Sequence, residues 1–173
     1  HRHYRRQRQM CIRDSFCSID PALRLRDLET RSQILGFDCQ RICCVEGAGE
    51  GGNKYNGICA GDDGLLYCAP CNASSVLVID SLTQALRFIE GVGEGANKYS
   101  GICAGPDGLL YCAPRNASSV LVIDPKTSTL SFIDGAGEGA MKYDAICVGP
   151  DGLLYCAPCN ASSVLVINPR TRT

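Results

Sequence analysis

Apolar residues in most of this chain come in short uninterrupted runs instead of at helical spacing, and the runs recur. Leu109-Leu-Tyr-Cys-Ala113 and Val120-Leu-Val-Ile123 are apolar at every position. Successive side chains of a strand point to opposite faces, so such runs predict strands that are covered on both sides. Polar turns punctuate them. Gly105-Pro106-Asp107-Gly108 puts proline at the second position of a turn and glycine where left-handed backbone is wanted, which predicts a tight hairpin. Asp124-Pro125 ends the next run, because proline cannot donate to a β-ladder. Four strands result, over Tyr99 to Ala104, Leu109 to Ala113, Val120 to Asp124 and Leu130 to Ile133, with no room for a helix between them. The predicted unit is an antiparallel meander.

The unit repeats. Residues 47–90 and 91–134 are two 44-residue copies, and a third begins at Gly135 and reaches Thr173 before its last strand. Each unit carries apolar residues on both faces, so it cannot bury them alone and its sheet is expected to stack on the next. Four-stranded units of this length that stack face to face predict an all-β chain, an incomplete β-propeller of about three 44-residue four-stranded antiparallel blades. The run GPDGLLYCAP leading into NASSVLVIDPKTSTL resembles the YVTN type of propeller repeat and, more loosely, the NHL type. The resemblance extends over residues 47–173. It implies a propeller, and such propellers serve as surface-layer, scaffolding, ligand-binding and occasionally catalytic modules; a shared fold does not choose among these functions. With no tryptophan in the chain, the WD-dipeptide repeats are a poor match.

Two segments precede the repeats. Residues 16–46 read as a diverged partial blade or a linker: Cys39 to Glu46 stands before Gly47 as Ala85 to Glu90 stands before Gly91, while Asp20-Pro21 offers a helix start instead. Residues 5–15, RRQRQMCIRDS, resemble a translated transposon-type sequencing adaptor at every position, which marks residues 1–15 as adaptor-derived rather than as a basic arm for nucleic acid. Setting residues 1–15 aside removes five arginines and one aspartate and takes the formal charge from −1 to −5. An acidic remainder gives no reason to expect nucleic-acid binding. No apolar run approaches the roughly 20 residues needed to span a bilayer.

Several patterns invite a chemical reading. Gly47-Ala-Gly-Glu-Gly-Gly52 has the spacing of a dinucleotide-binding loop, but a strand follows it instead of a helix, and its glutamate would repel phosphate. A flexible loop between blades explains it better. The CAPC of Cys68 to Cys71 and Cys156 to Cys159 suggests redox or zinc chemistry, yet the middle copy has Arg115 at the last position and no helix follows to activate a thiol. Cys59 and Cys68, with their equivalents, flank the first hairpin. With the bulged turn that Pro-Asp-Gly favours, Cys103 faces Tyr111 and Cys112 faces Ile102, so no direct bridge is expected. Free buried thiols suit a reducing compartment and favour the cytoplasm over secretion. Asn72, Asn116 and Asn160 each open an N-x-S triplet, a glycosylation acceptor in a secreted protein and an ordinary turn residue otherwise. The only histidines are His1 and His3, so residues 16–173 supply no Ser-His or Cys-His pair and no histidine-containing metal site.

Neither catalytic residues nor a cofactor are therefore expected, and the leading function is a ligand- or protein-binding scaffold with an unknown protein or small molecule as partner. The alternatives are part of a lactonase- or lyase-like, metal-assisted propeller enzyme whose catalytic residues lie in other blades, and a secreted surface or matrix protein. In a propeller the loops after strands two and four emerge on one face. That face is expected to carry Glu50, Glu94 and Glu138, Lys54, Lys98 and Lys142, and the Asn-Ala-Ser-Ser turns. Copies differ there, at Asn56, Ser100 and Asp144 and at Cys71, Arg115 and Cys159, while their strands scarcely change.

Overall fold

The computed structural model describes residues 43–173; the adaptor-like stretch and the segment read as a diverged blade up to position 42 lie outside the described residues. Eleven strands follow in chain order: β1 (Tyr55–Ala60), β2 (Leu66–Pro70), β3 (Ser75–Ile79), β4 (Leu86–Glu90), β5 (Tyr99–Ala104), β6 (Leu110–Pro114), β7 (Ser119–Asp124), β8 (Thr129–Asp134), β9 (Tyr143–Val148), β10 (Leu154–Pro158) and β11 (Leu165–Ile167). They form three antiparallel meanders, β1-β2-β3-β4, β5-β6-β7-β8 and β9-β10-β11, one for each sequence copy. These are the blades of an incomplete β-propeller. The second strand of the middle blade starts one residue later than its apolar run, at Leu110, because Leu109 belongs to the turn: its carbonyl accepts from Gly105 N–H at 2.8 Å.

The hairpin turn owes its shape to glycine. Gly108 lies at φ +80°, in left-handed backbone, and its N–H donates to the Gly105 carbonyl at 3.1 Å. Gly64 and Gly152 repeat this conformation. The turn sets the register, in which Cys103 opposes Tyr111 and Ile102 opposes Cys112, the pairing expected for the bulged turn. The ten described cysteines are all free.

Because the side-chain period of a strand is two, each blade has two distinct apolar faces. Tyr67, Ala69, Val76 and Val78 on one face of the first blade pack against Leu110, Cys112, Leu121 and Ile123 of the second. The opposite face of the second, Tyr111, Ala113, Val120 and Val122, packs against Leu154, Cys156 and Ile167 of the third. One face pair thus recurs at both seams with equivalent residues. Nearer the inner strands the approach is close enough to crowd a methyl group. A Cβ on Gly101 would stand 3.1 Å from Ala145 Cα and from Ile146 N, and one on Gly57 would stand 3.1 Å from the Ser100 carbonyl oxygen. The third copy has alanine at this place, Ala145, and it is exposed.

Candidate functional site

The loops after strands two and four meet in a band of hydrogen bonds that ties each blade to itself and to its neighbour. Within the second blade Arg115 N–H donates to the Lys98 carbonyl at 2.9 Å, as Cys71 does to Lys54 and Cys159 to Lys142. Across the seams, Lys98 N–H donates to the Cys71 carbonyl at 2.9 Å and Lys142 N–H to the Arg115 carbonyl at 2.8 Å. The asparagines of the N-x-S triplets join this band. Asn72 Oδ1 accepts from Asn97 N–H of the next blade at 2.8 Å while its Nδ2 donates to the Gly52 carbonyl of its own. Asn116 bridges Met141 and Ala96 in the same way. Asn160 keeps its own-blade bond, to the Ala140 carbonyl at 3.3 Å. The amide nitrogen that glycosylation would use is therefore hydrogen-bonded in each of the three copies.

The lysines turn inward. Lys98 and Lys142 are buried, and the ammonium of Lys98 donates to the Ala73 carbonyl of the preceding blade and to Gly95, both at 2.9 Å. Lys142 reaches Ala117 of the preceding blade at 2.7 Å. Burial pulls both ammonium groups below the usual lysine range. Lys54 is bound to the Gly49 carbonyl within its own loop. Glu50, Glu94 and Glu138 stand exposed on the glycine-rich loops. Each lines a shallow cleft between its loop and the following Asn-Ala-Ser-Ser turn, of about 380, 390 and 310 Å³ in the first, second and third blades. The sequence grouping of lysine, glutamate and turn is thus a local one in space as well, with the lysine acting as a pin between carbonyls.

The positions that differ between copies lie where the inner strands begin. β1 and β5 each carry an irregularity there, between Tyr55 and Ile58 and between Tyr99 and Ile102, and such bulges re-aim side chains. Asn56 and Asp144 are exposed, whereas Ser100 is buried and its Oγ donates to the Tyr143 carbonyl of the next blade at 2.8 Å. Asn56, Cys71 and Arg115 share one cleft of about 300 Å³ with Asn53, Tyr55 and Asn97. Arg115 Nη1 lies 3.5 Å from Asp144 Oδ1 on the third blade. The Asp144 carboxylate beside Cys159 pushes that thiol up. Five of the six variable positions therefore meet around Arg115, and Ser100 is spent on the seam. Cys71 is buried with its Sγ near Asn97 Oδ1, 3.6 Å.

A repeated tyrosine–aspartate bond is absent from the sequence reading. Tyr67 donates to Asp63 Oδ2 and Tyr111 to Asp107 Oδ2, each at 2.7 Å, and Tyr155 is bound to Asp151 likewise. Burial, then the aspartate, raises the Tyr67 and Tyr111 hydroxyls well above the ordinary tyrosine range. The recurrence of Asp-Gly-Leu-Leu-Tyr in all three copies was the available signal, since it fixes aspartate four residues before tyrosine. Among the described residues no group of three or more His, Cys, Asp or Glu side chains is placed to hold a metal ion. No helix there is long and apolar enough to cross a membrane.

The chain matches no protein-family model and no curated protein. Solved structures do resemble it. A virginiamycin B lyase from Staphylococcus aureus is similar with a TM-score of 0.57 and 18% identity, over 66% of this chain and 38% of that one. The extracellular domain of BT4673, a protein assigned to a one component system in B. thetaiotaomicron, is similar with a TM-score of 0.55 and 20% identity, over 70% of this chain and 18% of that one. Hydrazine synthase from Kuenenia stuttgartiensis is similar with a TM-score of 0.55 and 20% identity, over 76% of this chain and 37% of that one. The chain spans less than half the length of each, and likeness at this identity is a likeness of fold: three blades of an all-β propeller.

Proposed function

We propose that the chain is part of a binding propeller that recognises a ligand or protein at the end where its inner strands begin. One observation carries this reading. Each blade closes that end with the same backbone bond, from Cys71, Arg115 or Cys159 N–H to the carbonyl of Lys54, Lys98 or Lys142, while three of the side chains that vary from copy to copy, Asn56, Cys71 and Arg115, line one cleft, with Asp144 3.5 Å from Arg115. A constant frame that presents a changing set of polar groups is the arrangement recognition requires. The lyase resemblance concerns the fold. Among the described residues nothing pairs a nucleophile with a histidine base, because both histidines of the chain precede residue 16.

The test is to make the copies alike. A triple variant, Asn56→Ser, Arg115→Cys and Asp144→Ser, replaces three variable residues by ones that other copies carry at the same place. The wild-type chain and the variant are incubated with a mixed small-molecule and peptide library, and retained ligands are identified by mass spectrometry. Retention by the wild type and loss in the variant, with unchanged far-ultraviolet circular dichroism, is expected. Ligands retained equally by both proteins would place recognition elsewhere and overturn the reading.

A further inference from the structure

We propose that the cleft at Arg115 binds a small organic carboxylate, with the Arg115 guanidinium as its anchor. This rests on reading that end of the molecule as a recognition surface, and it names the chemistry recognised. Three observations lead to it.

The first is the charge of the wall. The cleft is lined by Asn53, Tyr55, Asn56, Cys71, Asn97 and Arg115, one cation and no carboxylate. The three glycine-loop clefts each include a glutamate. An anion that enters the Arg115 cleft meets no like charge in its lining. The asparagine amides add neutral donors and acceptors, which suit a ligand whose remainder is polar and uncharged.

The second is the state of the guanidinium. It offers five donors in a planar fork that matches a carboxylate. Among the described residues its contact is one long approach to Asp144, 3.5 Å, and its Nε is buried with no hydrogen-bond partner. The side chain keeps about 20% exposure, so part of the fork stays reachable from the cleft. Asp144 orients the group from the third blade without satisfying it.

The third is that the frame does not need an arginine there. Cys71 and Cys159 hold the equivalent places and make the same backbone bonds, to Lys54 and Lys142 at 2.8 and 2.7 Å. A long cationic side chain at one of three equivalent positions is therefore a departure from the repeat, and it shares its cleft with two further variable residues, Asn56 and Cys71. The volume, about 300 Å³, is at the lower end for a ligand site and fits a molecule of gluconate size.

Equilibrium dialysis of the 173-residue chain against labelled gluconate, and against sorbitol as the uncharged polyol of matching length, tests the assignment and tolerates self-associated protein. Gluconate is expected to bind saturably and sorbitol to bind about tenfold more weakly or worse, the worth of a charge-assisted hydrogen-bonded pair. Arg115→Cys, which installs the residue of the sister blades, should abolish the preference for gluconate with the β-sheet circular dichroism unchanged. Arg115→Lys, a point charge without the fork, should fall between. Asp144→Asn, which removes the internal competitor for the guanidinium, should tighten gluconate binding. Equal binding of gluconate and sorbitol that ignores Arg115 would overturn the carboxylate assignment and leave the recognition surface standing. Absence of saturable gluconate binding would also overturn the assignment, whereas the library test of the copy-equalised variant decides the recognition surface itself.

Discussion

The second and third blades carry nearly the same residues in two different surroundings. Val120 and Val122 are 2% and 1% exposed, while Val164 and Val166, at the same places in the third copy, are 51% and 44% exposed. The local sequence, Ser-Ser-Val-Leu-Val-Ile, is identical. What differs is the neighbour: the second blade is covered on both faces and the third on one. A run apolar at every position is thus a request for two covers, and burial follows only where the covers are present.

The largest consequence concerns association. An exposed apolar face flanked by strand edges drives self-association. The 173-residue chain is expected to sediment as oligomers or to precipitate, and the double substitution Val164→Lys and Val166→Lys to shift it toward monomer, read by analytical ultracentrifugation. A wild-type chain that stays monomeric and melts cooperatively would contradict the account of this face.

Truncating a tyrosine sharpens the contrast inside the fold. Tyr111 is fully buried between the second and third blades, and Tyr111→Ala should cost about 3 to 5 kcal/mol. Tyr155→Ala removes a side chain that the third blade leaves partly open, and it should cost clearly less by urea denaturation. Equal losses would show that the two faces are covered alike in solution.

Alkaline pH is expected to destabilise the covered seams first. Burial pushes the Cys112 thiol up and raises Cys156 to about 12, and burial raises Tyr99 to about 12. In each case the folded state holds the proton more tightly, so the stabilisation is whole below the ordinary value and is lost as pH rises toward the raised one. Lys98 and Lys142 act in the opposite sense, since a lowered ammonium value makes stability increase as pH rises toward the usual lysine range. The thiols titrate first, so the denaturation midpoint should be level near neutrality and fall from about pH 9, where unfolded cysteine ionises. Cys112→Ala should flatten the first part of that fall.

A smaller effect tests the close approach of the inner strands. Gly101→Ala puts a methyl group 3.1 Å from Ala145 Cα and should cost about 1 to 3 kcal/mol by overpacking. Ala145→Gly, at the open equivalent, should cost no more than about 1 kcal/mol, the loss expected from glycine in a strand. Gly101→Ala without effect would mean that the strands part more easily than the seam suggests.

Much of this architecture was legible in the letters. Glycine and proline at fixed offsets set the hairpin, the bulged turn set the register of Cys103 and Cys112, and the 44-residue period announced stacked sheets. The loop residues were harder to read. Lys98 and Lys142 look like surface charges in sequence, yet each is buried against carbonyls of the preceding blade, 25 residues back. Asn72 and Asn116 look like turn openers or glycosylation acceptors and serve as staples between blades. A donor's partner across a seam depends on how two copies are placed, and no local pattern encodes that placement.

The sequence by itself determined the strands, their turns, their register and the two apolar faces of each unit, because these depend on neighbours within a few residues or one hairpin. Only the tertiary structure decided which valines are buried, which glycines are crowded by the next blade, and that Arg115 meets Asp144 from another blade. Those depend on the fit of one face to the next, where identical residues receive different environments from different neighbours.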